Sequence, residues 1–194
     1  MQSITLISTI HKELRNCNSD ELLKILESIC PDVIFLEALE ENYSKYDQMV
    51  FSQFFVYNER LELKALQKYG QKHLFEYVPV LDIGLSTEFE KKNKIVSRNK
   101  DYQKLLDNYS LLEEDGGFQF LNSEKSILLQ EEMRELENRI INNEILLNEV
   151  SANIDEYENC MIKNIYLFCK EKSFNRAIFM CGSAHRKSII HKIG

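Results

Sequence analysis

The chain has 194 residues, 44% of them hydrophobic, enough to bury one sizeable core. Its formal net charge of −7 and pI near 5.2 argue against wrapping nucleic acid or anionic lipid, since phosphate binding leans on a positive surface that displaces counterions. No apolar run is long enough to cross a bilayer, and the opening Met1-Gln-Ser-Ile-Thr5 lacks the charged start and apolar stretch of a secretory signal, so a cytoplasmic single domain is expected.

Ile4 to Ile10 is rich in β-branched residues and predicts a strand covered on both faces. Ser19-Asp20-Glu21 offers a cap and an acidic first turn to a helix carrying Leu22, Leu23, Leu26 and Ile29, which Cys30-Pro31 ends. Asp32 to Glu37 reads as a second buried strand. Strand, helix and strand form a βαβ unit, for which a parallel pair is the default. The stretch from Asn42 to Tyr69 is expected to be helical, most clearly from Glu59, where Leu61, Leu63 and Leu66 recur. A third strand falls within Lys72 to Ile83, with Pro79 suited to an edge or an end.

Ser86 should cap a helix reaching about Leu106, and Glu113-Glu-Asp-Gly-Gly-Phe118 reads as a turn. From Ser123 the longest apolar stripe begins: Leu129, Met133, Leu136, Ile140, Leu147 and Val150 step by threes and fours, with Asn143 in the one missing position. A second stripe after Ser151, of Ile154, Tyr157, Met161, Ile165 and Phe168, predicts an antiparallel hairpin over residues 123–172. Ala177 to Cys181 is the fourth strand and Ser188 begins a last helix. The fold class is therefore α/β, a mostly parallel central sheet flanked by helices, with a long helical hairpin inserted before the last strand. Five cysteines without Cys-x-x-Cys spacing imply reduced thiols.

In open α/β sheets ligands bind beyond the carboxyl ends of the strands. His11, Glu37 and His185 all fall there, and would converge if strands one, two and four are neighbours. Two imidazoles and a carboxylate suit a divalent transition metal, whether Mn, Co, Fe or Zn, that activates water; without a metal the same trio can act as general base and acid. Gly182, and less freely Ser8, would let backbone amides approach a bound ligand or cofactor. Arg98, following Ile95 and Val96, could offer its planar fork to a carboxylate, a phosphate or a developing oxyanion. Histidines at strand ends are also common as structural residues; His73 reads as structural or exposed, and His191 as a surface residue of the last helix.

Taken in order, Ser8-Thr-Ile-His11, Pro31-Asp-Val-Ile-Phe-Leu-Glu37, Val96-Ser-Arg98-Asn-Lys100 and Gly182-Ser-Ala-His185 resemble the TraB/TIKI family of the erythromycin esterase/ChaN-like superfamily. The hallmarks of that family are a Gly-x-x-His motif near each end, a glutamate closing the second strand and an arginine on a central helix; Ser8 stands where its first motif has glycine. The resemblance implies a polar centre of His11, Glu37, Arg98 and His185, with metal-dependent hydrolysis in some members and haem association in others. The leading expectation is a hydrolase acting on a peptide, amide or ester bond in a small-molecule or peptide substrate. The alternative is an inactive interaction module that uses the 123–172 hairpin, whose stripe could also pair with a second copy as a homodimer.

Overall fold

A computed structural model describes residues 2–39 and 60–194. The chain runs β1 (Ser3–Thr9), α1 (Ser19–Ile29), β2 (Val33–Leu39), α2 (Leu61–Gly70), β3 (Glu76–Leu81), α3 (Thr87–Val96), α4 (Lys100–Leu121), α5 (Glu124–Ile140), α6 (Glu144–Glu171), β4 (Arg176–Gly182), a 3₁₀ turn (Ser183–His185) and α7 (Arg186–Ile193). The expected helix between Asn42 and Glu59 lies outside the described residues. All strand pairs are parallel, in the order β1-β4-β2-β3. The fourth strand therefore separates β1 from β2, and the first βαβ unit does not pair its own strands. Pro79 sits on the edge strand β3, where its missing N–H costs no ladder bond on the open side.

Alternation along the strands divides the core into two layers. Ile34, Leu36, Ile178 and Met180 face one way, against Leu22 and Leu26 of α1, Leu66 and Tyr69 of α2, and Tyr109 of α4. Val33, Phe35, Ala177 and Phe179 face the other way, against Tyr157, Met161 and Ile165 of α6 and Ile189 of α7. Phe35 is fully buried there and meets Phe168 edge-on at 5.3 Å.

Several helix ends differ from the sequence reading, each for a local reason. The cap of α1 is Asn18, whose side chain accepts from the amides of Asp20 and Glu21; Ser19 is the first helical residue, and its hydroxyl donates to Glu13. The helix capped by Ser86 stops at Val96, because Asn99 caps a new helix through the amides of Asp101 and Tyr102. Asn143 does not fill a seam: it caps α6 by accepting from Leu146 at 3.0 Å, so the chain reverses at 141–143 instead of Ser151.

Helix α3 contacts both α5 and α6. It wedges between the two arms, where Val96, Ile141, Leu146 and Val150 form a small third cluster. The stripe that suggested a second copy is thus largely covered by the chain itself. Among the described residues, no helix is long and apolar enough to cross a membrane. All five cysteines carry free thiols.

The expected turn at 113–118 is helical, broken only at Gly117 (φ 52°, ψ −142°) inside α4. This kink holds the loop that follows His11: the Asn16 amide donates to Glu114 O at 3.1 Å, and its side chain donates to Asp115 O. Glu113 is buried beside it, and burial pushes its carboxyl from the ordinary 4.5 up to about 7. A carboxyl whose folded value is raised keeps its proton in the native state while the unfolded chain has lost it. Stability should therefore fall as pH rises from about 4.5 through 7, by about 3 kcal/mol at ~1.4 kcal/mol per unit. Urea unfolding at pH 5 and pH 8 should show that loss in the native sequence, and Glu113→Gln should remove most of it; equal pH dependence in the two proteins would contradict this account.

Candidate functional site

The carboxyl ends of β1, β4 and β2 lie side by side, so His11, His185 and Glu37 reach one edge of the sheet. Glu37 lies where the register of β2 against β3 shifts, between Leu36 and Leu39. Its Oε2 accepts the Gly182 amide at 2.6 Å, and its Oε1 accepts the Tyr157 hydroxyl at 2.8 Å. Burial, reinforced by the Glu37 charge, raises the Tyr157 phenol well above its usual range, so it remains a donor.

His185 follows β4 through the 3₁₀ turn. Its Nδ1 lies 2.9 Å from Glu158 Oε1, and its Nε2 lies 3.7 Å from Glu37 Oε1. Tyr157 stacks on its ring. Glu158 is 2% exposed and is also held by Ser188 and, at 3.3 Å, by Lys192. Burial opposes its ionisation, but the hydrogen bonds from His185 and Ser188 outweigh that cost and hold the carboxyl below its usual range. An ionised carboxylate only accepts, so Nδ1 of His185 donates to Glu158, and Nε2 is the nitrogen turned toward Glu37.

His11 is arranged in the same way from the opposite layer. Its Nδ1 lies 3.2 Å from Glu62 Oε1 on α2, an oxygen that also accepts the Thr9 hydroxyl at 2.7 Å. The bond to Glu62 raises the imidazole above its ordinary value, against the effect of burial. The other Glu62 oxygen is buried without a hydrogen-bond partner among the described residues. His11, Glu37, Arg60 and Glu62 line a cavity of about 10 Å³, the room of one water.

Glu37 thus touches both histidines' surroundings, but the histidines line separate hollows. His11 borders the small cavity, and His185 borders a groove of about 390 Å³ walled by α3, α4 and α5, with Ile154 of α6. Glu62 and Glu158 anchor them from opposite faces of the sheet, which explains the separation. No three His, Cys, Asp or Glu side chains gather as a metal-holding group among the described residues.

The remaining expected residues take other places. Arg98 is exposed in the turn between α3 and α4 and lines neither hollow. Ser8 is fully buried, its amide donating to Asn122 Oδ1 at 2.8 Å, an anchor between β1 and the end of α4. Gly182 has an ordinary φ of −56° and does not need to be glycine for its turn; its amide serves Glu37. His73 stacks on Tyr69, and His191 is exposed on α7. Two thiols lie near the centre, but burial raises both, Cys17 to about 12, which removes them as nucleophiles at neutral pH.

No family model, curated protein or solved structure matches this chain. The likeness to the TraB/TIKI family therefore rests on the four short motifs alone.

The sequence reading missed Glu62 and Glu158. Both sit on apolar faces: Glu158 is four residues after Ile154 and three before Met161, and Glu62 is four before Leu66. An acidic residue inside an apolar stripe was the available signal.

Proposed function

We propose that this chain hydrolyses a peptide, amide or ester bond, with His185 as general base. The observation that supports this most strongly is the row Glu158–His185–Glu37 at the carboxyl edge of the sheet. A buried carboxylate fixes the ring and its tautomer, and a second carboxylate faces the free nitrogen. In the reaction Nε2 accepts a proton as water attacks the carbonyl carbon. Glu158 and Glu37 stabilise the imidazolium so formed, and that proton then passes to the leaving group as the carbon–heteroatom bond breaks. Tyr157 and the Gly182 amide keep Glu37 in place. His11 with Glu62 forms a second oriented imidazole on the far side of Glu37.

The reading is metal-free because each histidine is held by its own carboxylate and the two rings border different hollows; a divalent ion shared by His11, Glu37 and His185 is the alternative that elemental analysis decides. The rival reading, an interaction module built on residues 123–172, has less support because α3 covers the stripe between the arms.

The test is release of p-nitrophenolate from short-chain esters by the purified full chain, with His185→Asn as control and with elemental analysis of the same preparation. Turnover that survives a chelator and is lost in the variant is expected. A stoichiometric transition metal on which turnover depends would overturn the metal-free mechanism, and equal activity in the variant would overturn the site.

A further inference from the structure

The groove beside His185 carries a feature that the base alone does not use. Its floor is apolar, from Phe89, Val96, Met133 and Ile154. Two charges in it cancel: Lys92 Nζ lies 2.8 Å from Glu137 Oε2, and the Tyr102 hydroxyl donates to Glu137 Oε1 at 2.9 Å. Arg134, also on the groove wall, is exposed and forms no ion pair among the described residues. Its Nη2 donates to Ala184 O at 3.3 Å, which sets the guanidinium beside the residue preceding His185.

We infer that this groove binds an apolar ligand bearing a carboxylate, and that Arg134 is the residue that receives the carboxylate. This deepens the reading of His185 as a base and rests on it for the ligand's being a substrate, but not for its binding. The volume of about 390 Å³ falls in the range of small-molecule sites, which are largely apolar with a few placed polar groups. With Lys92 and Glu137 paired, Arg134 is the remaining cationic side chain that lines the groove. One guanidinium N–H is engaged by Ala184, and the others remain to form a planar fork that matches a carboxylate. A chain lying on the apolar floor with its carboxylate at Arg134 would pass in front of His185. This is the role the sequence assigned to Arg98, supplied instead by a different helix.

Octanoate and octanamide, titrated calorimetrically into the full chain, test the inference. They share an apolar tail and differ in charge. Octanoate should bind roughly tenfold more tightly than octanamide, Arg134→Gln should erase that preference, and Arg98→Gln, at an exposed residue that lines neither hollow, should keep it. Equal affinity for the two probes, a preference that survives in Arg134→Gln, or no octanoate binding at millimolar concentration would each overturn the inference. Hydrolysis is not part of the readout, so failure of the base assignment would show separately, as unchanged ester turnover in His185→Asn.

Discussion

His185→Asn should lower ester turnover by about 10²- to 10⁴-fold, the usual contribution of a positioned general base, with little change in the urea midpoint. The asparagine side chain can still reach Glu158 with an N–H donor, so the buried carboxylate is not left without a partner, which would itself cost stability. What it lacks is a basic nitrogen facing Glu37. His185→Leu is the informative contrast. It removes both functions, leaving Glu158 with Ser188 and Lys192 among the described residues, and should lose activity and stability together. If His185→Asn unfolds as readily as His185→Leu, the histidine is a structural residue. If His185→Asn stays active, it is not the base. Activity and unfolding measured on the same two variants separate these cases.

Gly117→Ala should destabilise the chain by about 4 kcal/mol or more, through two effects at one position. The backbone there, at φ 52° and ψ −142°, is one that side-chain-bearing residues rarely adopt. An added Cβ would also stand 2.3 Å from the carbonyl oxygen of Asn16, a backbone atom that cannot rotate away. Relief requires the loop after His11 to separate from α4, breaking the bond between the Asn16 amide and Glu114 O. Gly182→Ala is the matched control: φ is −56° there, and a Cβ would meet Glu37 Oε2 at 3.5 Å and His185 Cδ2 at 3.7 Å, both ordinary contacts. Urea unfolding should find the first variant severely weakened and the second close to native. Similar midpoints for both would contradict the assigned kink.

The pattern of what could be read follows from which interactions are local. Strands β1, β2 and β4 were legible because short, largely apolar runs, β-branched in β1, leave few alternatives, and their ends delivered His11, Glu37 and His185 to one sheet edge. The insertion of β4 between β1 and β2 was not legible, because strand order is set by packing between segments far apart in the chain. Asn99 and Asn143 were misread for one reason: apolar spacing continues through a helix break, whereas the cap that makes the break depends on a single side chain. Glu158 and Glu62 show the same limit in the site. A carboxylate on a helix is ordinarily solvated, and only the packing of that face onto the sheet makes it an anchor for a histidine. Arg98 and Arg134 differ in usefulness for a related reason, since helix termination puts the first in an exposed turn and the second reaches Ala184.

The ring of His185 offers the most direct measurement. Nitrogen-15 NMR of histidine-labelled protein at pH 8, assigned with the His185→Asn variant, reports which nitrogen bears the proton. The proposed centre requires the proton on Nδ1, toward Glu158, with Nε2 unprotonated and able to accept. A proton on Nε2, held toward Glu37, would leave no base at this position and contradict the mechanism.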